Sequence, residues 1–198
     1  MNKSDKSVFL CFITIIISLI LIVYISNIKE PTKEVISKKE IKLNDIAGEE
    51  IAEQVLLAKE KYNIPYWFSF AVMYSESEFK YWVNSKAGSS SGRGLMQVSD
   101  IVLKEYNLNN SVKYTTKDMY DIEKNSEVAY WYINKIIKYY LKGQDITWVD
   151  VYIAYNVGPC YFKNNKESLH NGIYKNTIYN AKDRFVTYAN KYYKLLTN

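Results

Sequence analysis

Val8 to Ser26 (VFLCFITIIISLILIVYIS) runs for 19 residues without a charge. As a helix rising about 1.5 Å per residue it reaches roughly 29 Å, the thickness of a bilayer's hydrocarbon core. The alternatives to a membrane span are a cleaved signal peptide and a buried core helix. A cleaved signal peptide has a shorter apolar region that ends at a small-x-small site. This run ends in Tyr24-Ile25-Ser26-Asn27. It therefore reads as an uncleaved signal anchor: 1–7 as a cytoplasmic flank, 8–26 as one transmembrane helix, and the charged 27–43 as a tether. Lys3 and Lys6 precede the span and five lysines follow it within the tether, so charge alone leaves its orientation open. Residues 44–198 remain, an ordinary length for one domain.

Charge and composition narrow what that domain can do. Of the net +5, residues 1–43 carry +3, which leaves +2 for the domain. A near-neutral domain lacks the dense positive charge that phosphate backbones require, which argues against nucleic acid as a partner. Two cysteines, Cys11 and Cys160, cannot form a disulfide framework or a multi-cysteine zinc site. A single histidine, His170, excludes a multi-histidine metal centre. The available chemistry is that of carboxylates, hydroxyls, amides and twenty tyrosines. Cys160 reads as a buried free thiol and His170 as a loop residue.

The hydrophobic pattern is helical almost throughout. Ala47, Ile51, Val55, Ala58 and Tyr62 repeat at helical spacing, with Asn44 and Asp45 as candidate caps and Asn63 as the stop. Further helices are expected over Pro65–Phe79, Leu95–Tyr106, Ile122–Leu141 (stopped by Gly143), Asp145–Tyr155 (stopped by Gly158-Pro159) and Asn180–Leu196. The Gly/Ser stretch 84–94 is a loop. The expected fold is mainly α, with any sheet small and confined to 80–94.

Phe68, Val72, Glu76 and Phe79 lie at i, i+4, i+8 and i+11, a single helical face. A carboxyl on that apolar stripe, beside the Gly/Ser loop, is a candidate general acid, because burial disfavours its ionised form. The alternative is a core carboxylate paired with a Lys or Arg. Glu78 should face solvent. Gly92 and Gly94 offer close backbone approach to a ligand, and Gln97 offers two donors and an acceptor. Ala154-Tyr155-Asn156-Val157-Gly158-Pro159 breaks a helix just after an aromatic and an amide.

Taken together, Glu76-Ser77-x-Phe79, Gly-Leu-Met-Gln at 94–97 and Ala-Tyr-Asn-x-Gly-Pro at 154–159 resemble the lytic transglycosylases of the soluble-transglycosylase, goose-lysozyme-like type. Asp121-Ile-Glu-x-Asn125 is similar to that family's Asp-Pro-Glu-x-Asn, with Ile122 in place of Pro. The resemblance covers about residues 50–190. It implies a lysozyme-like, mainly α fold that cleaves the β-1,4 bond between N-acetylmuramic acid and N-acetylglucosamine in peptidoglycan. On this resemblance Glu76 is the catalytic acid/base, Ser85 contacts the substrate or the catalytic carboxylate, Met96 and Gln97 line the substrate groove, and Tyr155 and Asn156 hold the sugar near the acid. Tyr179 stands for a family tyrosine that bonds the catalytic Glu, one residue short of the usual Thr-x-x-Tyr after Thr177.

The remaining tyrosines read as compositional bias. No second carboxylate accompanies the motifs, so the two-carboxylate glycosidase route gives way to one Glu acting as acid and then base. That route leaves a 1,6-anhydro product and needs no metal or cofactor. A hydrolytic muramidase on the same fold and a non-catalytic peptidoglycan-binding protein are the alternatives. Peptidoglycan strands and, through the N-terminal helix, the membrane are the expected partners. A peptidoglycan substrate puts the domain on the wall-facing, periplasmic side of the inner membrane.

Overall fold

The structure, a computed structural model, describes residues 42–87, 90–170 and 176–197, without side chains at 86, 87, 90, 170 and 176–180. The anchor and nearly all of the tether lie outside the described residues. Among the described ones, no helix is long and apolar enough to cross a membrane. The unit described here begins at Lys42. Residues 42–47 are helical, and Leu43, on the tether side of the sequence boundary, is fully buried.

Helix α1 (Glu49–Tyr62) follows Gly48, not Asn44 or Asp45, and ends on Asn63 in the left-handed region (φ 56°). It buries Ile51, Ala52, Val55 and Ala58, the face its periodicity predicts. Helix α2 (Tyr66–Ser77) follows Pro65 and buries every residue from Phe68 to Met73. A helix apolar all round is a central helix, packed on all sides. It stops two residues before the periodicity suggests, because Glu78 (φ 56°) and Phe79 (φ 64°) both take left-handed backbone.

Strands β1 (Asn84–Ala87), β2 (Ser90–Arg93) and β3 (Val98–Ser99) form an antiparallel sheet in that order. Ser85 pairs with Gly92, and Gly92 in turn with Ser99. The sheet is small as expected, but β3 lies past residue 94. The expected Leu95–Tyr106 helix is instead a turn, β3, and α3 (Asp100–Asn109). Gly94 (φ 74°) and Gln97 (φ 50°) are incompatible with helix, and Ser99 caps α3 by accepting the Val102 N–H.

After a 3₁₀ turn (Asp118–Tyr120), α4 (Ile122–Lys135) is capped by the Asp121 side chain. It passes into a π-helical segment, Ile136–Tyr140, before the chain turns at Leu141. Helix α5 (Trp148–Val157) starts three residues later than expected, at a capping box between Thr147 and Asp150, and ends on Gly158. Helix α6 (Pro159–His170) is absent from the sequence expectations. Gly158-Pro159 ends one helix and opens the next, since proline suits a first helical turn. His170 therefore closes a helix, and Cys160, in the first turn of α6, is exposed instead of buried. Helix α7 (Asn176–Thr197) starts four residues earlier than expected.

Aromatic contacts lock α7 along α2. Phe68 meets Phe185 at 5.6 Å between ring centroids, Phe70 meets Tyr192 at 5.7 Å, and Tyr74 meets Tyr188 at 4.0 Å. Each such pair contributes about 0.5–1.5 kcal/mol beyond burial alone. Together they hold the C-terminal end of α2, which carries Glu76.

Candidate active site

Glu76 sits one residue before the end of α2, where the left-handed Glu78 and Phe79 turn the chain toward β1. Non-glycine left-handed residues cost about 1–2 kcal/mol each. Gln97, on the opposite wall, is a third. Ser77, buried beneath Glu76, donates to the Leu95 carbonyl (2.7 Å) and joins the helix end to the 94–97 turn.

Asn125 holds that turn in shape. Its Oδ1 accepts the Met96 N–H (2.8 Å), and its Nδ2 donates to the Arg93 and Met119 carbonyls (2.8 Å each). Gly94 is forced by the same packing: a Cβ there would lie 1.9 Å from the Met119 carbonyl oxygen. The close approach at Gly94 therefore serves the protein's own backbone and not a ligand. At Gly92 a Cβ would meet the Gln97 side chain at 2.9 Å.

A cavity of about 380 Å³ opens beside these elements, and Glu76, Ser85, Gln97, Tyr155 and Asn156 all line it. Met96 is not among the lining residues. Its side chain is fully buried, and it serves the site through its backbone, whose carbonyl accepts the Tyr155 hydroxyl (2.7 Å). Gln97 donates through Nε2 to the Gly94 (2.9 Å) and Val83 (3.3 Å) carbonyls, so both expected free donors are used within the fold. Tyr179 falls in the first turn of α7, where side chains are not described.

Glu76 is half-buried, but its Oε1 is out of solvent and without a hydrogen-bond partner. Burial raises its pKa to about 7; hydrogen bonds from Tyr152 and Asn156 and the charge of Arg184 oppose the shift. Among the described residues no salt bridge reaches it. Arg184 pairs with Glu78 (2.8 Å), which also pairs with Lys80 (2.8 Å). Glu78 is exposed as expected, although it lies past the end of α2 in left-handed backbone.

Tyr152 is the site residue that the sequence reading missed. It is buried and stacked on Phe185 at 4.2 Å. Its hydroxyl stays protonated, since burial and the neighbouring Glu76 push its pKa well up. The signal was present: Tyr152, Tyr155 and Asn156 lie at i, i+3 and i+4, one face of α5. Tyr132 from α4 and Ile101 and Val102 from α3 complete the apolar wall.

Glu76 is the only carboxylate among the described residues lining the cavity. Asp100 is engaged by Arg93 and Ser91, Asp118 by Lys124 and Thr115, and Asp121 caps α4. Among the described residues no cluster of His, Cys, Asp and Glu could hold a metal ion.

Searches of curated proteins and of solved structures return no match. The family model described as the transglycosylase SLT domain matches residues 54–178, which takes in Glu76, the 94–97 turn, Asn125 and the end of α5. A mainly helical unit with a small three-stranded sheet fits the lysozyme-like fold of such enzymes. On the evidence of that match, over more than half of its length, the chain belongs to the transglycosylase SLT domain family.

Proposed function

We propose that the protein is a peptidoglycan lytic transglycosylase that works through Glu76 alone. The observation that carries this reading is a carboxyl with a pKa near 7, one orphaned oxygen and no second carboxylate beside it among the described residues. At neutral pH a substantial fraction of Glu76 holds its proton, the form required to protonate a leaving oxygen.

The protonated Glu76 gives its proton to the glycosidic oxygen between N-acetylmuramic acid and N-acetylglucosamine. The C1–O bond breaks, and the acetamido carbonyl of the muramic acid stabilises the electron-poor anomeric carbon. Glu76, now a carboxylate, takes the proton of the C6 hydroxyl as that oxygen bonds to C1. The ring closes to 1,6-anhydromuramic acid, and Glu76 is protonated again. Tyr152 and Asn156 stabilise the carboxylate between the two proton transfers. Ser85, Gln97 and the ring of Tyr155 line the space for the sugars.

Digestion of purified sacculi with the full chain, followed by mass spectrometry of the released muropeptides, is expected to give anhydro ends. Glu76→Gln should lower the rate by at least about a hundredfold. Reducing ends would mean a hydrolytic muramidase, and full activity in Glu76→Gln would end the single-carboxylate mechanism. The reading extends to location: an anchor at 8–26 and a tether that ends where the folded unit begins, at Lys42, hold the domain on the wall-facing side of the inner membrane. A periplasm-active reporter fused after Asn198 should then be active; a stable but silent fusion would reverse that topology.

A further inference from the structure

A second cavity, of about 450 Å³, is lined by Asn109, Trp131, Asn134, Lys135 and Tyr139. It shares both of its main walls with the catalytic cavity. Helix α3 lines the catalytic cavity at Ile101 and Val102 and the second cavity at Asn109. Seven to eight residues of helix separate these positions by about 11 Å along the axis. On α4, Tyr132 lines the catalytic cavity, and the next residue, Trp131, lines the other, their rings 6.5 Å apart.

The chemistry of the lining is that of a neutral polar ligand with an apolar face. Tyr139 is 73% exposed and has no ring partner among the described residues, which leaves its face open to the C–H side of a pyranose. Among the described residues the Asn134 amide has no hydrogen-bond partner, and Asn109 uses only its Nδ2, on the Glu105 carbonyl, which leaves its Oδ1 without one. These groups match acetamido and hydroxyl substituents. Lys135 is the single charged residue of the lining, and it is already compensated by Glu105 (2.6 Å) and lies over the Trp131 ring. The cavity therefore offers no unpaired charge to an ionic ligand. Tyr139 is delivered by the π-helical segment Ile136–Tyr140, a distortion that is common beside functional sites.

The geometry points to a second glycan-binding subsite on the α3/α4 face, one that takes N-acetylated sugars of the strand being cut. It rests on the reading of peptidoglycan as substrate. Its function is to hold an extended strand; a short fragment that fills only the catalytic cavity does not reach it.

The test uses the full chain with Tyr139→Ala and Asn134→Ala, singly and combined, each checked for an unchanged circular dichroism spectrum. Cleavage of intact sacculi should fall roughly three- to tenfold in Tyr139→Ala. Turnover of a short soluble peptidoglycan oligosaccharide should not change. In the Glu76→Gln background, retention on insoluble peptidoglycan should weaken by the same factor, including on strands stripped of stem peptides by an amidase. Equal losses on long and short substrates, or no loss on either, would overturn the subsite. So would retention that disappears with the stem peptides. If the parent protein releases no anhydro fragments but Tyr139→Ala still weakens retention, the catalytic reading falls and the subsite stands.

Discussion

Ionising Glu76 costs folding free energy, and the sign follows from the direction of its shift. The folded protein holds the proton up to about pH 7, whereas the unfolded chain releases it near the ordinary value of 4.5. Stability therefore falls as pH rises through that window and levels off above it. Gln at position 76 has no proton to lose. Glu76→Gln should match the parent protein near pH 4 and exceed it by at most about 3 kcal/mol above pH 7, read from urea midpoints at the two pH values. A constant difference would mean that the carboxyl is not shifted by burial. Tyr152 acts in the other direction, because its hydrogen bond favours the ionised form. Tyr152→Phe keeps the stack on Phe185 but removes that bond, so the alkaline limb of the pH–rate profile should move up. A move down would contradict the assigned contact.

At the scale of elements, the wall opposite Glu76 is a turn that local propensity does not hold. Gly94 and Gln97 are left-handed, and their geometry is kept by Asn125, one turn into α4. Asn125→Ala leaves the buried Met96 N–H without an acceptor and should cost about 2–4 kcal/mol, measured by urea denaturation. Asn125→Asp should not rescue it, since a carboxylate cannot donate to the Arg93 and Met119 carbonyls. Helix periodicity extended α2 to Phe79 and began a helix at Leu95 because both stretches carry apolar residues at helical spacing. The left-handed breaks fall on Glu78, Phe79 and Gln97, residue types that do not announce such a backbone. Asn63, a residue that tolerates this conformation, was legible as a stop. Helix α6 is hidden for a different reason: Gly158-Pro159 both stops one helix and opens the next, and only the stop is visible in the local pattern.

At the scale of the whole molecule, the described unit closes around α2, with α7 along its length and α5 stacked against the same aromatic cluster. Leu43 belongs to this core. A chain beginning at Lys42 should fold, and one beginning at Asp45 should lose about 2 kcal/mol by denaturation, the value of one buried leucine. Equal stability of the two would place the boundary later.

Read alone, the sequence settled the helical class, the candidate acid on an apolar stripe, and the three motifs that mark the family. These depend on periodicity and on residue types a few positions apart, which a chain displays directly. Tertiary structure decided what those residues do. It brought Tyr155 to the Met96 carbonyl across 59 positions and Asn125 to the Met96 N–H across 29. It turned the Gln97 donors inward, gave Arg184 to Glu78, and set Tyr152 beside Glu76. Burial and hydrogen-bond partners are properties of neighbours in space. The same glutamate that spacing marks as a candidate acid acquires its raised pKa only from burial in the folded chain, against the hydrogen bonds from α5 that oppose it.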